Sequence, residues 1–119
     1  MLTDALDPIR PFMEFLNNKK LCSIPCKIIY LPDNDTVKGE TGIGFAAYVP
    51  CSLLIYVAGD LSGLEDLTPE EQFEAVLQSI AHEYIHHIQN IECRDFDEDE
   101  AHARAEELVR EYYAKERDP

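Results

Sequence analysis

One long, cleanly started helix limits the possible folds of this chain more than any other stretch. Thr68-Pro69-Glu70-Glu71 is a strong start signal, with Thr68 as N-cap, Pro69 at the first helical position and Glu71 closing a capping box. No glycine or further proline interrupts the chain until well past residue 86. Phe73, Val76, Leu77, Ile80, Tyr84, Ile88 and Ile91 recur at three- and four-residue steps, which marks one buried stripe. His82 and His86 fall on the opposite side, together with Ala75, Ser79 and Gln89. The helix therefore packs along one face and presents two histidines on the other.

The rest of the chain supplies what that stripe packs against. Residues 7–18 read as a short helix, capped by Asp7, with Pro8 and Pro11 in the first turn and Ile9, Phe12, Met13 and Leu16 as its core stripe. Residues 26–31 are strand-like and end in the turn Pro32-Asp33-Asn34-Asp35. Residues 42–49 form a second strand stopped by Pro50, and the apolar run 52–57 a third, buried on both faces. A last helix over about residues 97–115 carries Ala101, Ala105, Leu108, Val109 and Tyr112 at helical spacing. Helix, three-stranded sheet, then two helices is an α+β order, and residues 1–119 make one domain.

Charge narrows the function. The net charge is −14, and only ten Lys and Arg are present, scattered along the chain. Phosphate binding needs such residues clustered, so nucleic acid is not an expected partner. The acidic run between Asp95 and Glu116 reads as a solvated helix face. No apolar run is long enough to span a bilayer and no leader pattern is visible, which makes the cytoplasm the expected location. Four cysteines, Cys22, Cys26, Cys51 and Cys93, lack the two close pairs of a Cys₄ zinc site. They are expected as free thiols in a reducing compartment, with a disulfide to Cys51 left open for an oxidising one.

His82-Glu83-Tyr84-Ile85-His86 carries the chemistry. Histidines four apart lie on one helical face about one turn (~5.4 Å) apart, so both imidazoles reach a single ion. Imidazole nitrogens, an open position for water and a carboxylate beside it suit Zn²⁺. Glu83 comes off the same turn and is placed to take a proton from a water attacking a carbonyl. A third ligand is required. Glu98 shares the inward stripe of the last helix with Ala101 and Ala105, whereas Glu100 falls on the charged face with Arg104, Glu107 and Glu111. Glu98 also suits a capping role in the first turn, and His102 remains an alternative ligand or a partner orienting His82 or His86.

His82-Glu83-Tyr84-Ile85-His86 followed by Glu98-Asp99-Glu100-Ala101-His102 resembles the gluzincin metallopeptidases, whose downstream glutamate helix supplies the third zinc ligand. The short length and element order are similar to the minigluzincins and to small repressor-cleaving metallopeptidases. His102 departs from the Asp or Asn usual at its position, and the interval from His86 to Glu98 is short. The resemblance implies a zinc endopeptidase, with His82, His86 and Glu98 on the metal, Glu83 as base and a peptide or protein as substrate. Two other expectations stand beside it: a latent or regulatory zinc module with the same site, and a helical module that never binds metal. Residues 42–49 are a candidate edge strand for an extended peptide, and Tyr48, His87 and His102 are candidates for stabilising the oxyanion.

Overall fold

The structure is a computed structural model and describes residues 9–39 and 42–117. Among these residues it is α+β, with three α-helices and a three-stranded sheet. Helix α1 (Arg10–Asn18) starts with Ile9 at the N-cap and Pro11 in its first turn, without a side-chain cap. Asp7 and Pro8 lie outside the described residues. Phe12, Met13, Phe15 and Leu16 are buried from this helix.

Strand β1 (Lys27–Leu31) follows, then β2 (Val37–Gly39) and β3 (Gly42–Gly44), an antiparallel pair of short strands. Strands β4 (Ala46–Val49) and β5 (Leu54–Ala58) complete the sheet. The order is β1-β5-β4, with β5 parallel to β1 and antiparallel to β4. The sequence reading is corrected at three points here. Residues 42–49 are split at Phe45 into two strands that belong to different sheets, and β2 had no sequence signal. The third strand also starts two residues later than expected, because the turn after Pro50 takes up Ser52 and Leu53. Leu53 adopts φ 53 to close that turn.

Alternation along β4 and β5 divides the interior. Ala46, Tyr48, Ile55 and Val57 face the helices and join the main core, whereas Ala47, Ala58 and Tyr56 pack with Val37 on the other face. The β2–β3 pair thus covers part of the side of the sheet away from the helices. Strand β5 is central and buried towards the helices, whereas Leu54 and Tyr56 on its other face are half-buried and not fully buried as its apolar run implied.

Helix α2 (Pro69–Ile91) begins with the expected capping box: Glu71 N–H donates to the Thr68 hydroxyl and Thr68 N–H to the Glu71 carboxylate. It packs against α3 (Glu98–Arg117) and against β4. The close approach of α2 and α3 rests on Ala101 and Ala105, both fully buried. Phe12 and Phe15 of α1 meet Tyr112 of α3 edge-on at 5.1 and 5.3 Å, which closes the far end of the core. Between Ile80 and Gln89 every residue of α2 is buried except His82. Along this stretch the face opposite the apolar stripe is therefore covered except at His82.

Candidate metal centre

The site lies where the second half of α2 meets the start of α3 and the outer edge of β4. The His82 and His86 rings stand 4.9 Å apart with planes at 76°. Glu98 opens α3, directly after its N-cap: the Asp97 carboxylate accepts from Glu100 N–H at 3.0 Å, and its carbonyl accepts from Ala101 N–H at 3.0 Å. Capping thus falls to Asp97, which releases Glu98 from that role. The Glu98 carboxylate turns back to α2, with one oxygen 2.7 Å from His82 Nε2 and 3.2 Å from His86 Nε2. Burial pushes the Glu98 carboxyl up, but hydrogen bonding with His82 and the closeness of His86 outweigh it, leaving it below its ordinary value.

Glu83 is buried, and its carboxylate accepts a hydrogen bond from Tyr48 N–H at 2.9 Å. The ladder explains why that N–H is available. Ala58 N–H donates to Phe45 C=O, so Phe45, Ala47 and Val49 exchange bonds with β5 while Ala46 and Tyr48 turn theirs outward. Donor atoms of His82, Glu83 and His86 all lie within 4.8 Å of one another, a group able to hold a metal ion. Two carboxylates thus compete for the third place. Glu83 is engaged by the backbone of β4, whereas a single Glu98 oxygen touches both Nε2 atoms, and the second arrangement is the one that resembles a coordination sphere.

No protein-family model, curated protein or solved structure matches the chain. The chemistry of the site therefore rests on its own geometry.

Three donors around a tetrahedral zinc, with bonds of about 2.0–2.1 Å, stand about 3.3 Å apart. The 3.2 Å separation between His86 Nε2 and the Glu98 oxygen fits that spacing, and the 2.7 Å one at His82 needs a small outward shift of a side chain that is 62% exposed. The residues present fit the ion. A cleft of about 160 Å³ leads to the pair, walled by Gly44, Phe45 and Ala46 on one side and by Gln78, Ser79, His82 and Glu83 on the other.

Several expected residues are not in the site. His102 is exposed and pairs with Glu106 at 2.8 Å, so it neither replaces Glu98 nor orients His82 or His86. His87 is buried and donates from Nε2 to the Ile24 carbonyl at 2.7 Å, while its Nδ1 is 2.7 Å from the Tyr48 hydroxyl. Asn90 in turn donates to that hydroxyl at 3.0 Å, and burial pushes the Tyr48 hydroxyl up to about 12. His87 and Tyr48 are thus partners in a packed network and not oxyanion donors. None of the four cysteines belongs to the metal group: Cys51 and Cys93 are exposed, and Cys26, buried, is pushed up to about 12, first by that burial.

Other residues of the site had no motif to announce them. Phe96 places its ring 4.8 Å from that of His86 and shields it. Gln89 is fully buried and meets His86 Nδ1 at 2.9 Å. Its position on the histidine face, three residues past His86, was the only signal available. Glu100, expected to idle on the charged face, accepts from Gln89 at 2.7 Å and pairs with Arg94 at 3.0 Å and Arg104 at 3.4 Å.

Proposed function

We propose that this protein is a zinc-dependent endopeptidase in which His82, His86 and Glu98 hold the ion. The observation that carries the reading is the convergence of both Nε2 atoms on one Glu98 oxygen, with Glu83 clamped beside them by β4. A zinc ion in such a ligand set lowers the pKa of a water to about 7 and polarises a carbonyl. The chain's own residues do the remaining work. Glu83 accepts the proton of the attacking water and returns it to the leaving amine. Tyr48 N–H holds the Glu83 carboxylate in place for both transfers. The outward N–H and C=O of Ala46, on the cleft wall, suit pairing with an extended peptide backbone. Among the described residues no helix is long and apolar enough to cross a membrane.

The decisive experiment combines metal analysis of protein purified without added metal with a mixed-peptide cleavage assay on wild type and Glu83→Gln. The expected outcome is one zinc in both and a cleavage rate that falls in the variant by the ~10²–10⁴-fold that general-base assistance contributes. Cleavage by Glu83→Gln at the wild-type rate removes Glu83 as the base. The small volume of the cleft favours one second reading, a latent or regulatory zinc module. Stoichiometric zinc without turnover of any peptide or unfolded protein selects it.

A further inference from the structure

A side-chain amide has two acceptor positions on its oxygen and two donor hydrogens on its nitrogen, and Gln89 uses all four. Its Oε1 accepts from Asp97 N–H at 3.1 Å and faces His86 Nδ1 at 2.9 Å. Its Nε2 donates to the Asp97 carbonyl at 3.2 Å and to Glu100 Oε1 at 2.7 Å. An amide can usually be turned over without changing its shape. Here the backbone of Asp97 removes the choice, because an N–H only donates and a carbonyl only accepts.

That constraint passes to the metal centre. With the amide oxygen facing it, His86 Nδ1 must carry the hydrogen of the pair. A neutral ring then turns a lone pair at Nε2 towards the Glu98 oxygen 3.2 Å away.

We propose that Gln89 is the positioning residue of the centre: one buried amide sets the tautomer of His86 and, through both backbone groups of Asp97, seats Glu98. Ligands from two helices are thereby held in register by a single side chain. The inference rests on reading the centre as a zinc site. Glu100 backs the arrangement, since its carboxylate takes the fourth hydrogen bond while Arg94 and Arg104 hold it. Gln89→Leu keeps the bulk and removes all four bonds. Gln89→Glu keeps an acceptor for His86 but aims a carboxylate oxygen at the Asp97 carbonyl and at Glu100. Adding Glu100→Gln to Gln89→Glu returns a donor to that interface.

The test measures zinc Kd by chelator competition for wild type, Gln89→Leu, Gln89→Glu and the swapped pair. It adds long-range ¹H–¹⁵N spectra of the zinc-free proteins to read the His86 tautomer, and circular dichroism to verify folding. Each single variant is expected to lose ~10–100-fold in affinity, with part of the loss recovered in the swapped pair. Wild type should show His86 as the Nδ1–H form, and folded Gln89→Leu a shift towards the other tautomer. If Gln89→Leu does not fold, the Gln89→Glu variant and its swap carry the comparison. Tight zinc binding by wild type with unchanged affinity and tautomer in a folded Gln89 variant overturns the positioning role and leaves the zinc reading intact. Wild type that binds no zinc overturns both.

Discussion

His86 and His87 are adjacent in sequence, yet the helix turns them about 100° apart and gives them opposite tasks. His87 donates from Nε2 to a carbonyl, so its Nδ1 receives the Tyr48 O–H, and the ring is consumed in tying α2 to β4 and to the loop at Ile24. His86 is fixed the other way round, with Nδ1 on Gln89 and Nε2 directed at Glu98. The motif spacing was enough to find His82, Glu83 and His86, because i and i+4 residues must share a face whatever packs on it. The stripe of the last helix placed Glu98 inward and Glu100 outward. In the structure Glu98 stays largely exposed and turns its carboxylate back to the histidines, and Glu100 is the more covered of the two. Hydrogen-bond partners were not legible: whether Gln89, Tyr48 or His102 meets a ligand depends on where a second element passes. Glu98→Ala is expected to weaken zinc binding by more than the ~10–100-fold typical of outer partners, since a ligand itself is lost. His102→Ala should leave the affinity unchanged, because its ring points to solvent and Glu106. Titration with a competing chelator compares the two, and loss of metal in His102→Ala alone would reverse the assignment.

At the scale of elements, local chemistry was readable where the residues were of the favoured type. The start of α2 was plain because Thr68, Pro69 and Glu71 each act within one turn. Its end was not. Arg94 N–H donates to Gln89 C=O at 2.9 Å and Cys93 N–H to Asn90 C=O at 3.0 Å, a Schellman closure with Cys93 at φ 59. Glycine usually occupies that left-handed position, and a cysteine there gives no sequence signal. The closure matters because it swings the chain from the His86 end of α2 into Asp97 and Glu98. A non-glycine residue in the left-handed region costs about 1–3 kcal/mol, and glycine gives back roughly 0.5–1 kcal/mol in unfolded-state entropy. Cys93→Gly is therefore expected to stabilise the protein by roughly 0.5–2 kcal/mol, read as a higher denaturant midpoint with an unchanged m-value. An equal or lower midpoint would mean that the exposed thiol contributes something the backbone argument omits.

For the whole molecule, the α+β order was legible because each main element carries its own period, 3.6 in the helices and 2 in the strands. Short strands carry too few residues to show one, which is why β2 had no signal and the break at Phe45 was not visible. Their pairing is decided by the far face of the sheet, where Val37 packs with Ala47 and Ala58. The proposed zinc ion adds a tie that the apolar core does not provide. Ala101, Ala105 and Tyr112 anchor α3 along its length, but its first turn reaches α2 through Glu98 and Gln89. A ligand bound only by the folded state stabilises it by about 2.7 kcal/mol at a hundredfold excess over Kd. For a domain of this size that corresponds to a Tm shift of roughly 10 °C. Removing zinc with a chelator should lower Tm by about that amount, and adding zinc back should restore it. Glu83→Gln should keep the full shift, since Glu83 acts on the proton and not on the ion. Glu98→Ala should lose most of it, since the link between α2 and α3 goes with the ligand. Equal zinc-induced shifts in wild type and Glu98→Ala would place the third ligand elsewhere, with Glu83 the next candidate by distance.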